Sequence, residues 1–155
     1  MLERIVYVSR AAPGTGLDTV FGIIRAAHLR NSQAGISGGL IFLDGWFVQV
    51  LEGSPEAVTR LHARLARDPR HAGLDLRARE RALCRLFRGQ AMALRTRACL
   101  DLALLDAFGY APGFPVARFP ADALLEFVVR ACRPVRGPAR PARPRADPAT
   151  RTGSG

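Results

Sequence analysis

Apolar and polar residues follow two different periods along the chain, and turn residues separate the segments that show each period. Short runs rich in β-branched and aromatic residues predict strands, whereas apolar residues spaced three or four apart predict helices. Strands are predicted at 5–8, 36–43, 46–52, 74–82 and 90–94. Helices are predicted at 17–30, from 54 to about 68, at 100–108 and at 121–132.

Individual residues mark where several of these elements begin and end. Asp44-Gly45 between two apolar runs is typical of a two-residue hairpin, because both turn positions need a positive φ. Ser54 is predicted to be an N-cap with Pro55 at the first helical position, and Asn31 is predicted to end the first helix. The apolar stripe predicted for that helix consists of Leu17, Val20, Phe21, Ile24 and Ala27.

The element order β-α-β-β-α-β-β, followed by two helices, predicts an α+β fold with a ferredoxin-like sheet and two helices on one face. In the first strand Tyr7 and Val8 point to opposite faces of the sheet. Both faces of this strand and of the third strand are largely apolar, so both faces of the sheet should be covered. The C-terminal helices are the remaining material for the second face. The predicted organisation is a domain at 1–95, capping helices at 96–133 and a disordered Pro/Arg-rich tail at 134–155.

Composition limits the class of protein. With 155 residues, 48% of them hydrophobic, the chain can form one domain with a substantial core. No apolar run approaches the roughly 18 residues of a membrane span, and the N terminus lacks the order of a signal peptide, so we expect a soluble, cytoplasmic protein with no membrane contact. The three cysteines lack the spacing of a disulfide framework or zinc site. The net charge is +10, and every lysine-or-arginine position in the chain is an arginine. Much of the excess positive charge lies in the tail.

Two polar residues stand out within apolar strands, and no catalytic motif or metal-ligand spacing accompanies them. Gln49 lies between Val48 and Val50, where a buried amide without a partner would cost about 1–3 kcal/mol. Tyr7 occupies the middle of the first strand. One interpretation is a structural pair in the core, with the two side chains bonded to each other. The other is that both face a polar heterocyclic ligand held between sheet and helices, and the residues alone leave both interpretations open.

Four segments resemble the BLUF family, the sensors of blue light using flavin, in order and spacing over roughly residues 2–95. They are the segment 4–10, Asn31 with the segment 35–38, the segment 45–53, and Asp68-Pro69-Arg70-His71. The resemblance implies that a flavin lies between the first two helices, against the sheet. FAD is the first expectation, with FMN and riboflavin as alternatives.

The resemblance also assigns roles to individual residues. Tyr7 matches the photoactive tyrosine, Gln49 the glutamine that bonds the flavin and switches on excitation, and Met92 the methionine of the fifth strand. The residues implied to bind the flavin are Ser9, Ile23, Ile24, Arg30, Asn31, Gln49, Arg64, Asp68, Arg70 and His71. For Asn31 a helix C-cap is an equal alternative. Gln90 stands where many members have tryptophan, which leaves the route of the signal open.

The implied activity is light sensing without enzymatic turnover. Excitation moves an electron and a proton transiently from Tyr7, with Gln49 as the relay, and leaves Gln49 rotated or tautomerised in a red-shifted state that decays in the dark. Arg30 and Arg64 are expected either at a flavin phosphate or on the solvated surface. No further domain is expected after residue 133, so the signal should reach a partner protein through the C-terminal helices. A homodimer or larger assembly is compatible with apolar surface on those helices.

Two other functions fit parts of the sequence. A ferredoxin-like binding module without flavin would bind a peptide or nucleic acid through its arginines, although the strands carry no aromatic platform for bases, which argues against nucleic acid. A small enzyme of acylphosphatase-like topology is the second alternative, but its expected Arg-plus-Asn loop constellation is missing from the sequence.

Overall fold

The computed structural model describes residues 1–134, which form five strands and four α-helices. The strands are β1 (Leu2–Ala11), β2 (Ser37–Leu43), β3 (Trp46–Gly53), β4 (His71–Ala82) and β5 (Ala93–Thr96). The helices are α1 (Leu17–Gln33), α2 (Pro55–Leu65), α3 (Leu102–Phe108) and α4 (Ala121–Cys132), with single 3-10 turns at Arg97–Cys99 and Val116–Arg118. The tail predicted to be disordered lies, apart from its first residue, outside the described residues. Within residues 1–134, no helix is both long enough and apolar enough to cross a membrane.

One sheet contains all five strands, in the order β4-β1-β3-β2-β5. Strand β1 is antiparallel to both of its neighbours, and β5 is parallel to β2. The register of β1 and β3 places Tyr7 directly opposite Gln49. The predicted α+β, ferredoxin-like architecture is confirmed, with β5 as an added edge strand.

The two faces of the sheet carry separate hydrophobic cores. On one face, Tyr7 and Leu51 pack with residues of α1 and α2, such as Val20 and Val58. The other face, which includes Val8, packs against the C-terminal helices. The side chains of that second core include Val6, Val48, Val50, Leu105, Phe114, Leu124, Phe127 and Val128. The prediction that strand alternation sends alternate residues of β1 and β3 to two covered faces is therefore confirmed.

The structure confirms two of the predicted element boundaries, the β2–β3 hairpin turn and the start of α2. Asp44 and Gly45 both have positive φ in the hairpin turn, at 49° and 77°. The side chain of Ser54 accepts a hydrogen bond from the backbone N–H of Ala57, with Pro55 beginning α2. Both signals depend only on neighbouring residues, which is why the sequence displays them.

Helix α1 differs from its prediction in its end and in its buried face. It continues to Gln33, and Asn31 lies in its last turn. Leu17 and Phe21, predicted in the apolar stripe, are 51% and 48% exposed. Val20 is buried as predicted, and the helix also buries Ile23 and Asn31. Asn31 is polar, so a search for periodic apolar residues could not find it.

Strand β5 is displaced from its predicted position of 90–94. Gln90 and Ala91 precede the strand, and their carbonyl groups accept hydrogen bonds from Gly38 N (2.9 Å) and from the Asn31 side chain (3.0 Å). Smaller differences occur at β1, which extends through polar residues on both sides of the predicted 5–8, and at α2, which ends at Leu65. The differences at β1 and β5 reflect hydrogen bonding to neighbouring strands, which the spacing of apolar residues along the sequence does not report.

We predict that Gly38→Ala destabilises the fold, because a Cβ atom at this position would overlap the backbone oxygen of Val50 on the adjacent strand. The expected loss in the free energy of unfolding is about 1–3 kcal/mol, measured by urea denaturation. Gly22→Ala is the matched control, since its Cβ meets no atom within 4 Å in the middle of α1. That variant should gain about 0.5 kcal/mol, and equal losses in both variants would contradict the packing argument.

Candidate functional site

A cleft between α1, α2 and the sheet collects most of the residues that the sequence singled out. Polar groups enter it from the sheet, from α1 and from the turn before β4. The predicted residues that line it are Ile23, Ile24, Arg30, Asn31, Gln49, Asp68, Arg70, His71 and Met92. Apolar lining comes from Ala27, Leu40, Leu61 and Leu65. The cleft therefore combines apolar walls with a few polar groups, as small-molecule sites generally do.

Gln49 is the polar centre of the cleft floor. Its side-chain oxygen accepts a short hydrogen bond from the Tyr7 hydroxyl, and its Nε2 lies 3.3 Å from the sulfur of Met92. Tyr7 is completely buried behind it. Burial raises the pKa of the Tyr7 phenol, and the charge of Asp68 adds to that effect, so the hydroxyl keeps its proton and points it at Gln49. A continuous row of Tyr7, Gln49 and Met92 results.

Asn31 is held in the cleft by a contact outside its own helix. It is 1% exposed, and its Nδ2 donates to the carbonyl oxygen of Ala91 at 3.0 Å. The C-cap alternative for Asn31 is wrong, because Ala34 caps the helix and the Asn31 side chain bonds the segment before β5 instead. Asn31 also lines the cleft, and its side-chain oxygen is a hydrogen-bond acceptor.

Two histidines flank Tyr7. The rings of His62 on α2 and His71 at the start of β4 lie 6.5 and 6.4 Å from the Tyr7 ring, both in edge-on orientations. Desolvation lowers the pKa of both imidazoles, so both are neutral near pH 7. Nδ1 of His71 contacts Ser9 Oγ at 2.7 Å, and its Nε2 is buried without a protein partner. The contact with Ser9 therefore orients the His71 ring.

The open end of the cleft is strongly basic. Arg70 forms a bidentate contact with Asp68, whose carboxyl pKa that interaction lowers to about 2. Arg30 has a buried Nε atom with no hydrogen-bond partner, and burial together with Arg64 and Arg70 lowers the pKa of its guanidinium. Arg64 lines an adjoining groove with Arg30 and Arg60 rather than the cleft itself. The concentration of positive charge favours an anion at this opening.

The structure brings together most of the predicted residues but not all of them. Tyr7 and Ser9 lie behind the cleft lining, and Arg64 is at the adjoining groove. Sequence reasoning missed His62 and Leu40. The position of His62 beside Leu61 on α2 was a weak signal, whereas Leu40 is found only through its pairing with Gln49 in the register of β2 and β3.

A family model described as sensors of blue light using FAD matches residues 2–93, more than half of the chain. The chain belongs to the BLUF family. The matched span contains the entire cleft, with Gln49 and Met92 in its lining and Tyr7 behind it. BLUF domains use a flavin as their chromophore.

Known BLUF proteins resemble the chain over different extents. The photoactivated adenylate cyclase subunit beta of Euglena gracilis is 44% identical over 71 residues, which are 45% of this chain and 8% of that protein. The chain therefore matches only a small part of the curated relatives. The dark-state structure of the BLUF protein BlrB superimposes with a TM-score of 0.68 at 26% identity, covering 84% of this chain and 93% of BlrB. The photo-activated state of BlsA gives a TM-score of 0.76 at 23% identity, over 86% and 96% of the two chains, and supports the fold.

The residues of the cleft fit a flavin. A flavin ring has apolar faces and a polar edge of carbonyl and N–H groups, and the cleft supplies apolar walls together with the amides of Asn31 and Gln49. The buried nitrogens of Arg30 and His71 that lack protein partners are further polar groups available to a ligand. Among residues 1–134, no group of three or more His, Cys, Asp or Glu side chains is arranged for a metal ion.

We predict that the Asp68–Arg70 pair makes stability depend on pH in the acidic range. The Asp68 pKa is lowered in the folded state from 3.8 to about 2, so the pair stabilises the protein above pH 4 and loses this effect as the pH falls toward 2. The stability difference between the wild type and Asp68→Asn, measured by denaturation, should shrink over that interval. Asp75→Asn is the control, since this carboxylate is 61% exposed and lies 3.6 Å from Arg77. A difference independent of pH would contradict the role of Asp68.

Proposed function

We propose that this BLUF protein is a blue-light photoreceptor whose light-dependent event is a rearrangement of hydrogen bonds at Gln49. The observation that carries the proposal is the position of the Gln49 amide, between the Tyr7 hydroxyl and the Met92 sulfur on the floor of the cleft. Its carbonyl end accepts and its NH2 end donates, so one rotation or tautomerisation changes the bonds on both sides.

A bound flavin would supply the photochemistry, namely the absorption of blue light and the capacity to accept an electron and a proton transiently. The protein supplies position and hydrogen bonding. Tyr7, protonated and completely buried, would give and regain both the electron and the proton, the proton leaving and returning through its hydroxyl. Gln49 relays it and is left in its altered orientation, while Met92 occupies the other side of the amide.

The remaining cleft residues would hold the flavin in place. The Asn31 amide would meet the polar edge of the ring, and Ile23 and Ile24, which line the same cleft, would pack beside it. His71, oriented by Ser9, and Arg70, oriented by Asp68, would lie along the ribityl side. The basic opening near Arg30, Arg60 and Arg64 favours a flavin that carries phosphate, which agrees with FAD more than with riboflavin.

The output is proposed to be signalling without net turnover. Residues 1–95 would form the flavin-binding unit. Residues 96–133 would form the helices that a partner protein, or a second copy of the chain, binds. The geometry that supports this role is the reverse face of β3, where Val48 and Val50 pack in the same core as α4. Gln90 also donates to the carbonyl oxygen of Cys132 at the end of α4, at 3.3 Å. A change at the cleft can therefore reach α4 by a short path.

We predict that the purified protein is yellow, releases FAD on denaturation and shows a reversible red shift in blue light. Tyr7→Phe should keep the flavin and lose the red shift, because the hydroxyl bonded to Gln49 is removed. The chain contains a second tyrosine, so Tyr110→Phe is a matched control; its hydroxyl bonds Asp44 outside the cleft, and the red shift should remain. A colourless protein that takes up no flavin would overturn the photoreceptor, and a normal shift in Tyr7→Phe would remove Tyr7 from its role.

A second prediction concerns the output helices. Hydrogen exchange measured in light and in darkness should differ over residues 98–132, with the largest change near Cys132 at the end of α4. The Tyr7→Phe variant under the same light is the control and should show no difference. If the red shift occurs and exchange over 98–132 is unchanged, the signal does not leave through these helices.

A further inference from the structure

The connection between β4 and β5, residues 83–92, passes from one face of the sheet to the other. Its middle is anchored on the α4 face, where Phe87 is 2% exposed and packs in the core of Val128 and Cys132. The space for Phe87 exists because Gly39 has no side chain; a Cβ there would lie 2.6 Å from the ring. Its end lies in the cleft, where Met92 meets Gln49. The β4–β5 connection is therefore the segment that delivers Met92 to the cleft.

Glu52, at the end of β3, holds this connection through a buried carboxylate. The side chain is completely buried and points away from the cleft, on the same face as Val50. Its two oxygens accept hydrogen bonds from the backbone N–H groups of Leu86 and Phe87, at 3.0 to 3.1 Å. Arg4 Nε donates to the same carboxylate at 2.8 Å. The hydroxyl of Ser37 adds a further hydrogen bond at 3.2 Å.

The contacts of Glu52 require a carboxylate. Arg4, two backbone amides and a hydroxyl all donate, and an ionised carboxylate accepts on both oxygens, whereas an amide has only one accepting oxygen. A buried ion pair contributes little net stability, because desolvation of the charges offsets their attraction. The arrangement is better suited to fixing geometry: it places the backbone of residues 86 and 87 at a set distance from β3, the strand that also carries Gln49.

We propose that Glu52 is a positioning residue for the photoreaction, acting through the β4–β5 connection to keep Met92 beside Gln49. This inference rests on the proposed photoreceptor function. Only five residues lie between Leu86 and Met92, and hydrogen bonds from Gly38 to Gln90 and from Asn31 to Ala91 hold the intervening chain. Glu52 thus controls the Met92 side of the Gln49 amide from the opposite face of the sheet.

The test compares Glu52→Gln with Glu80→Gln. Both variants remove a carboxylate that pairs with Arg4. Glu80 is half-exposed and, among residues 1–134, its side chain bonds only Arg4, so its loss leaves the amides of residues 86 and 87 held. In darkness, Glu52→Gln should accelerate hydrogen exchange of Leu86 and Phe87 by about tenfold. After blue light, its dark-recovery rate should differ from wild type by about threefold or more, since charged hydrogen bonds are worth more than that factor. Glu80→Gln should match wild type in both measurements.

A double-mutant cycle distinguishes a specific effect of Glu52 on the position of Met92 from a general loss of stability. If Glu52 acts through Met92, the recovery rate of Glu52→Gln/Met92→Ala should equal that of Met92→Ala, because the first change has nothing left to position. Independent effects that multiply would overturn the proposal. So would a Glu52→Gln variant that recovers like wild type.

Two further outcomes are decided by the same design. If Glu52→Gln does not fold, Glu52→Asp replaces it: the charge that pairs with Arg4 is kept, but the side chain is one methylene shorter and no longer reaches the amides of residues 86 and 87. An unchanged recovery rate in that variant overturns the proposal. A wild-type protein without a red shift overturns the photoreceptor itself, and the exchange of residues 86 and 87 then still reports whether Glu52 holds the connection.

Discussion

Strands β1 and β3 are paired in a register that places Tyr7 opposite Gln49, and the two cores and the cleft depend on that register. Because side chains alternate between faces, a shift of β1 by one residue against β3 would turn Tyr7 away from Gln49 and from helices α1 and α2. The same shift would expose the apolar residues that now meet α4. The register is therefore fixed by burial on both faces at once, and the polar pair is fixed with it.

Strand β3 serves the two faces with different residues of one short segment. Gln49 enters the cleft, Val50 packs toward α4, and Glu52 binds the connection that leads back to the cleft. The two faces of the sheet are therefore connected in two ways, through β3 itself and through residues 83–92. As a result, groups on the α4 face of the sheet also constrain the Gln49 amide on the cleft face.

The sequence displayed the parts of this arrangement that depend on near neighbours. The hairpin at Asp44 and the cap at Ser54 depend on turn and helix-end chemistry, and the alternation in β3 depends on burial, so each could be predicted. Contacts between distant segments could not. Glu52 lies at the end of an apolar strand, where a charged residue usually reaches solvent. Its burial depends on Arg4 and on amides more than thirty residues later. Asn31 likewise looked like a helix end because its partner, Ala91, lies far along the chain.

Strand β5 has only four residues and pairs with one neighbour, β2, at the edge of the sheet. Short edge strands open by thermal fluctuation more often than central ones, because fewer hydrogen bonds must break together. Each such opening would draw Met92 away from Gln49 without any photon being absorbed. On the proposed role of Met92, the strength of this one short pairing would set how often the protein responds in complete darkness, and a weaker pairing would raise that background.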